Sequence, residues 1–155
     1  FENWYAVGDL VKIDSFTGTV LSVGLKSTRI QAYSGEIKII PNRNINEVIN
    51  YSLDKTLAVV DLSVSYESNL EKVEKILKLT CANMKEKMPL LTEEPEVLGV
   101  ENLGDSSVIF RIVGKCKPTK HFLVQRQMRK ELKNAMDKNG IKIPYPQIEV
   151  HHNEK

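Results

Sequence analysis

The 155-residue chain has the composition of a globular protein, and its charge and cysteine content exclude several classes. Apolar residues make up 41% and charged residues 27%, and 22 basic against 20 acidic residues give a net charge of +2. This balance is that of a globular chain rather than a disordered one, and the near-neutral total argues neither for nor against an anionic partner. Cys81 and Cys116 match no zinc spacing and are too few for a secreted disulfide scaffold, so a reducing compartment is expected. The first residues do not show the basic-then-apolar pattern of a signal peptide, and no apolar run of the sequence reaches the roughly 20 residues of a membrane-spanning helix.

The first 50 residues predict a series of short strands joined by tight turns. The β-rich runs are 10–15, 19–25, 28–33 and 36–40. Ser34-Gly35 predicts a hairpin, because glycine adopts positive φ without a steric clash, and Pro41 ends the last strand because it lacks a ladder donor. Gly18 and Gly24 are candidates for bulges that curl the sheet. Several strands without a helix predict a small barrel or sandwich.

The second half begins with a strand–helix pattern. Alternation from Val60 to Tyr66 predicts a half-buried strand. Ser68 begins a capping box that ends at Glu71, in which the Ser68 oxygen accepts an early helix N–H. Apolar residues then recur every three or four positions and stop before Pro89, which predicts one helix. The stripe consists of Leu70, Val73, Leu77, Cys81, Met84 and Met88.

The remaining elements complete a β-α-β-β-α order. Strands are predicted at 97–103 and 108–116, joined by a turn at Gly104-Asp105. A second helix is predicted from about 120 to 139, with Gly140 as its C-terminal cap. Its inward residues are predicted to be Val124, Met128, Leu132 and Ala135. With a short final strand near 148–152, this order fits a split βαβ, ferredoxin-like α+β domain, and the boundary between the halves falls near Asn50 to Lys55.

The residues that could serve catalysis or metal binding form no convergent set in the sequence. His151 and His152 point to opposite faces of an extended chain, and His121 lies far from them in sequence. Cys81 falls on the apolar stripe, where cysteine is usually a small hydrophobe. Cys116 lies beside Lys115 and Lys117, which favour a lowered thiol pKa, but no general base accompanies it. No nucleophile, Walker or dinucleotide motif is present, so no enzyme activity, cofactor or metal is predicted.

Charge is unevenly distributed in the second half. Residues 115–142 hold nine Lys or Arg against Glu131 and Asp137, a net of +7, and residues 86–105 hold six acids against Lys87, a net of −5. Three interpretations stay open: two solvated faces, a patch that attracts anions, or opposite patches that meet between neighbouring subunits.

An ordered set of short motifs carries a family resemblance. It runs through Tyr5-Ala6-Val7-Gly8-Asp9, Gly18-Thr19-Val20, Leu25-Lys26-Ser27-Thr28, Gly35, Ile40-Pro41-Asn42 and Ile49-Asn50-Tyr51-Ser52. This set resembles the β-domain of the small-conductance mechanosensitive channel family, and Gly140 to Gln147 resembles the end of its α/β domain. The structural motif residues are Gly8, Asp9, Gly18, Val20, Thr28, Gly35, Pro41, Asn42 and Asn50. Ser34, Lys26 and Arg43 depart from the residues usual in the family, and the contact of Arg43 is left open.

The resemblance implies a fold and an assembly. Residues 1–50 would form a mainly β, Sm-like barrel, residues 51–143 an α+β ferredoxin-like domain, and residues 144–155 an extended tail. The tail strand would either pair within its own sheet or join those of other subunits in a small barrel on the symmetry axis. Asn42 and Asn50 are suited to side-chain bonds with nearby backbone at strand ends.

The resemblance also implies a function. The chain would be the cytoplasmic cage of a cell-membrane channel subunit, a homo-heptamer that releases ions and small solutes through side portals on osmotic downshock. A pore-lining helix would precede Phe1, and a start at Phe1 rather than Met is what an excised fragment would show. Pore-lining and gating residues therefore fall outside the chain, and no specific nucleic-acid partner is expected.

Two other functions compete with the channel interpretation. A nucleic-acid-binding module is one, since the predicted barrel is similar to the Sm-like fold and the second helix is basic. Aromatic residues make up only 6% of the chain, however, and single-stranded binders usually offer several stacking rings. A ferredoxin-like ligand sensor is the other, and it would show a ligand-dependent rise in stability.

Overall fold

The chain folds into two compact units. The computed structural model describes residues 3–54 and 56–153, so residues 1–2, residue 55 and the last two residues of the tail lie outside the described residues. Contacts divide the chain into unit 1, Phe1–Thr56, and unit 2, Leu57–Lys155. Each unit holds its own cluster of buried apolar side chains.

Unit 1 is an antiparallel sheet with a small apolar core. Its five strands pair in the order β4-β3-β2-β1-β5. The strands are β1 Leu10–Ile13, β2 Phe16–Val23, β3 Ser27–Gln31, β4 Ile37–Pro41 and β5 Ile49–Asn50, and a 3₁₀ turn covers Asn42–Asn44. The alternation of buried residues along β1 and β3 follows the two-residue period of a strand. The core consists of Val11, Ile13, Val20, Ile30, Ile40 and Ile45.

The predicted hairpin at Ser34-Gly35 is confirmed, but the predicted bulges are not. Gly35 has φ 98° in the turn between β3 and β4. The register of β2 shifts between Val20 and Ser22, so the irregularity lies at neither Gly18 nor Gly24. A Cβ at Gly18 would lie 2.5 Å from the Gln31 carbonyl oxygen. Glycine at position 18 therefore allows close approach of two strands.

Unit 2 packs helices on a three-stranded sheet of order β6-β8-β7. The elements are β6 Thr56–Val64, α1 Leu70–Ala82, α2 Met84–Lys87, β7 Glu96–Leu103, β8 Val108–Cys116 and α3 His121–Lys138. Helix α1 packs on β7 and α3, and α3 also packs on β8. The core draws on β6, β8 and all three helices, and its largest fully buried side chain is Phe110.

Four details of the helices differ from the sequence predictions. The one helix predicted to run up to Pro89 is divided at Asn83 into α1 and α2. Asn69, rather than Ser68, caps α1, since the Asn69 side chain accepts from the Lys72 N–H at 3.1 Å. The apolar stripe is buried from Val73 onward, whereas Leu70 is 38% exposed in the first turn. In α3 the fourth buried residue after Val124, Met128 and Leu132 is Met136, because Ala135 turns partly to solvent.

The predicted final strand is absent from the described chain. Residues 141–153 contain neither helix nor strand, so the tail does not pair within the described sheet of its own unit. Its start is anchored, because Ile141 is buried and the Ser65 N–H donates to the Lys142 carbonyl at 3.1 Å. Farther on, the Gln147 N–H donates to Ser106 Oγ at 3.1 Å, while Ile148 is 87% exposed.

Candidate functional site

Thr28 lies at the centre of a polar network in unit 1. Its side chain is fully buried, and its hydroxyl donates to Asn42 Oδ1 at 2.9 Å and contacts the Tyr5 hydroxyl at 2.9 Å. The Asn42 amide in turn donates to the carbonyl oxygens of Gly24 at 2.8 Å and Leu25 at 3.2 Å. Asn42 thereby joins the β2–β3 turn to the segment that follows β4.

A second network holds the residues that lead into β1. The Asn50 amide donates to Asp9 Oδ2 at 2.9 Å and to the Trp4 carbonyl at 3.1 Å. The same Asp9 oxygen accepts from the Ala6 N–H at 2.9 Å, and the Ser52 N–H donates to Asn50 Oδ1 at 2.8 Å. Asn50 and Asp9 thus tie residues 4–6 to the end of unit 1.

The other sequence motif residues lie at turns and close contacts. Gly8 has φ 95° in the turn before β1, where the backbone conformation favours glycine. Its N–H donates to the Val20 carbonyl, and the Val20 N–H donates to the Asp9 carbonyl, both at 2.9 Å. Pro41 is the last residue of β4. Arg43, whose contact was left open, is exposed in the 3₁₀ turn.

A groove of about 870 Å³ lies beside the Asn42 network within unit 1. Its lining is mostly apolar and includes Trp4, Tyr5, Val23, Leu25 and Ile45. Leu25 is fully exposed and Val23 is 49% exposed. Among the described residues that line the groove, none is a carboxylate, histidine, lysine or cysteine.

A charged triad crosses the sheet of unit 2. The Arg111 guanidinium donates to both carboxylate oxygens of Asp61, at 2.8 and 3.0 Å, and to Glu101 at 2.9 Å. The hydrogen bonds from Arg111 hold the pKa of Asp61 below its ordinary value of 3.8. The triad links the three strands β6, β8 and β7 on the exposed side of the sheet.

The opposite charges of unit 2 pair partly within the chain. Lys115 binds Glu93 at 2.9 Å, and Lys87 binds Glu131 at 3.3 Å. Lys133 binds Asp137, one turn farther along α3. The acidic and basic regions singled out in the sequence are therefore in contact at their margins, while most of their charged side chains face solvent.

The histidines and cysteines do not form a reactive centre among the described residues. His121 is 6% exposed, and burial lowers the pKa of His121 below its ordinary value, while His151 and His152 are exposed on the tail. Burial, with a smaller effect of Glu94, raises the pKa of the Cys81 thiol to about 11. In residues 3–54 and 56–153, no group of three His, Cys, Asp or Glu is placed to hold a metal ion. None of the helices described is both long and apolar enough to cross a membrane.

Sequence reasoning missed the connection between motif residues. It identified Thr28, Asn42 and Asn50 separately, but not the bonds of Thr28 to Tyr5 and Asn42, or those of Asn50 to Asp9 and Trp4. The partners lie 14 to 46 positions apart. The sequence shows that polar residues occur at strand ends, but it does not show which strand ends lie next to each other.

Family models match both units of the chain. A model described as "Mechanosensitive ion channel, beta-domain" matches residues 1–53, and one described as "Mechanosensitive ion channel MscS, C-terminal" matches residues 58–143. The chain is 34% identical over 155 residues to a small-conductance mechanosensitive channel of Caldanaerobacter subterraneus subsp. tengcongensis, covering 100% of the chain and 55% of that protein. It is 26% identical over 153 residues to the moderate conductance mechanosensitive channel YbiO of Escherichia coli, covering 97% of the chain and 21% of that protein.

Solved structures show the same fold. The crystal structure of Helicobacter pylori MscS in the closed state matches with a TM-score of 0.83 at 24% identity, covering 99% of the chain and 61% of that protein's chain. The cryo-EM structure of Arabidopsis thaliana MSL1 matches with a TM-score of 0.67 at 16% identity, covering 94% of the chain and 55% of that protein's chain. The chain spans about half the length of the first curated relatives it matches. None of the proteins named here is a nucleic-acid-binding module, so that alternative gains no support.

Proposed function

The chain belongs to the MscS family of mechanosensitive ion channels, and we propose that it is the cytoplasmic cage of a tension-gated channel subunit. The observation that carries the proposal is the ordered match of two channel-family models to residues 1–53 and 58–143. The shared fold with the Helicobacter pylori channel agrees with it. The remainder of the subunit would supply membrane-spanning helices and the pore.

Each part of the chain has a place in this proposal. Residues 1–50 are an Sm-like barrel, supported by five short antiparallel strands around one small core. Residues 51–143 are a ferredoxin-like domain, supported by the β-α-β-β-α order and the sheet order β6-β8-β7. Residues 144–155 are an extended tail, whose described part is neither helix nor strand in the single chain.

In our proposal, seven subunits assemble around a common symmetry axis. The tail contributes one strand per subunit to a small barrel on that axis, since closure removes the exposed edges that a lone strand would leave. Pro144 and Pro146 keep the path extended towards this barrel. Ions and small solutes leave through openings between subunits, and the cage lies on the cytoplasmic side of the cell membrane.

The motif residues of unit 1 have a structural role in the proposed cage. Hydrogen bonds join Thr28 to Asn42 and Asn42 to the Gly24 carbonyl. Another joins Asn50 to Asp9. Neither network contains a nucleophile next to a base, which is the arrangement that covalent catalysis requires. We therefore propose that the chain is not an enzyme and needs no cofactor.

Channel activity can be measured on the subunit expressed from its complete gene. That gene should encode apolar spans before residue 1, one of them rich in small residues that let helices pack closely around a pore. In reconstituted bilayers the protein should pass current under suction and none at rest. It should also protect cells that lack their own mechanosensitive channels from osmotic downshock. Bilayers that contain the inserted protein and stay silent up to their lytic tension would contradict the proposal.

A further inference from the structure

One face of helix α3 is lined with exposed basic side chains. At 100° per residue, Arg126, Arg129, Lys130 and Lys133 fall within about 100° of one another around the helix, and all four are exposed. We call these four residues the basic stripe. Its one acidic neighbour, Asp137, is bound to Lys133, and the other three residues make no ion pair with a described residue. Within the described part of the chain, three charges of the stripe therefore have no acidic partner.

The basic stripe lies on the flank of α3 that faces away from the end of α2. Glu131 occupies the opposite flank of the helix, where it binds Lys87 at the end of α2. Helix α1 packs on both α3 and β7, whereas α3 packs on β8 and α1. The stripe and the β7 edge of the sheet thus lie on different sides of unit 2.

The β7 edge is acidic. Glu93, Glu94, Glu96 and Glu101 are all exposed along β7 and the residues that lead into it, and we call them the acidic edge. Glu93 and Glu101 bind Lys115 and Arg111 of the same chain. Glu94 and Glu96 make no ion pair with a described residue. Because β7 is an outer strand of the described sheet, its carboxylates and its outer backbone are both accessible.

Exposed apolar side chains accompany each charged surface. Phe122 and Leu123, in the first turn of α3, are 40% and 42% exposed. On β7, Leu98 is 54% and Val100 is 44% exposed. Protein interfaces generally combine an apolar centre with a charged rim. Each of these surfaces has both parts, with opposite signs of charge.

We propose that the basic stripe of one subunit docks on the acidic edge of a neighbouring copy. The inference rests on the oligomer proposed above and names the surfaces that meet within it. Two complementary surfaces on different sides of one chain form a head-to-tail contact, and such contacts close into rings when the rotation is suitable. Opposite charge guides the register, and Phe122 and Leu123 with Leu98 and Val100 supply the apolar contact. Helix α1 is less suited to this role, since its lysines alternate with glutamates and Lys78 already binds Glu74.

Cysteine cross-linking in the complete subunit, in its own membrane, tests the contact directly. Leu123→Cys and Leu98→Cys in one chain leave every charge in place, and both native cysteines are buried. Mild oxidation should produce a ladder of linked subunits that a reductant collapses. The matched control replaces Leu98→Cys by Leu79→Cys, on an exposed position of α1, and should give no ladder beyond dimers.

Charge reversal tests whether the cross-links come from a contact guided by charge or from chance collisions between subunits. In the background of that cysteine pair, Arg126→Glu with Arg129→Glu should lower the ladder yield at least tenfold, because like charges then meet. Adding Glu94→Arg with Glu96→Arg should restore it. Because the substituted positions are exposed, we expect each variant to fold. Circular dichroism of each variant checks this.

Three outcomes would overturn the proposal: no ladder, a ladder unaffected by charge reversal, or a reversal that the compensating pair does not repair. Short RNA and inorganic polyphosphate serve as competing occupants. If Arg126→Glu with Arg129→Glu removes their binding while the ladder is unchanged, the stripe serves an anion and not a second copy. The result is separable from channel activity, because cross-linking needs no current, and a silent channel can still give the ladder.

Discussion

The two units stabilise their folds by different means. Unit 2 buries nineteen apolar side chains among the described residues, whereas unit 1 buries six. Unit 1 instead places a fully buried threonine and two asparagines at the junctions of its strands and turns. A domain of about 60 residues buries a smaller fraction of its surface than a larger one, and its core is correspondingly marginal. Buried polar networks are a remaining means of stabilisation for such a unit.

This difference explains why the family motifs concentrate in unit 1. In unit 2 many apolar residues are interchangeable at modest cost, because a large core tolerates substitutions that conserve volume. In unit 1 the hydrogen bonds of Thr28, Asn42 and Asn50 require particular donors and acceptors at fixed positions. Recognisable residues therefore mark the unit with the smaller core.

The largest effect is expected from a cavity in the core of unit 2. Leu77→Ala removes a fully buried side chain in α1 and should lower the free energy of unfolding by about 2–5 kcal/mol. Leu79→Ala, two residues away and 60% exposed, is the matched control and should change it by no more than about 0.5 kcal/mol. Urea denaturation, with hydrogen exchange of peptides from 57–143, measures both. Equal effects of the two variants would show that burial does not govern the stability of this unit.

Periodicity in the sequence predicted most elements correctly. The strands at 97–103 and 108–116 and the helix at 120–139 are confirmed to within one residue at each end. These elements have many buried residues at regular spacing, so a single misplaced residue does not change the pattern. The errors fall where the pattern is shortest. At the start of α1, Ser68 and Asn69 are both good caps, and only the backbone path selects Asn69.

Contacts between residues distant in sequence could not be predicted, for a different reason. The alternative strand pairings of the tail depend on which sheet edge or subunit it meets, and this information lies outside residues 148–152 themselves. The bulge near Leu21 arises from the pairing of β2 with β3 and has no marker such as glycine at that position. Likewise, the bonds of Asn42 to Gly24 and Leu25 depend on two turns that meet only after the sheet has formed.

A smaller effect is expected from the polar network of unit 1. Thr28→Val keeps the shape of the side chain but removes the hydroxyl that contacts Tyr5 and Asn42. Two polar groups then lose a partner in a buried or half-buried position, which should cost about 1–3 kcal/mol. Thr19→Val, at an exposed position of β2, is the control and should change stability by no more than about 0.5 kcal/mol. A Thr28→Val protein as stable as the wild type would remove the distinction between the two units.

The smallest effect concerns the pH dependence of the charged triad in unit 2. Arg111 depresses the folded-state pKa of Asp61 below its ordinary value of 3.8. A carboxylate with a depressed pKa contributes stability that is fully present above the unfolded pKa and is lost as pH falls through the folded one. The stability of the wild type relative to Asp61→Asn should therefore be constant from pH 7 to about 5 and decline below about 4. Since both side chains are partly exposed, we expect a difference of no more than about 1 kcal/mol.

Urea titrations at half-unit pH intervals measure that difference. The control is Glu67→Gln, an exposed carboxylate in the same unit that makes no ion pair with a described residue. Its stability relative to the wild type should show no comparable decline below pH 4. High salt should reduce the Asp61 contribution, because screening weakens exposed pairs. If the Asp61→Asn difference is the same at pH 3 as at pH 7, the bonds to Arg111 do not act through the ionised carboxylate, and the triad contributes only its packing to the sheet.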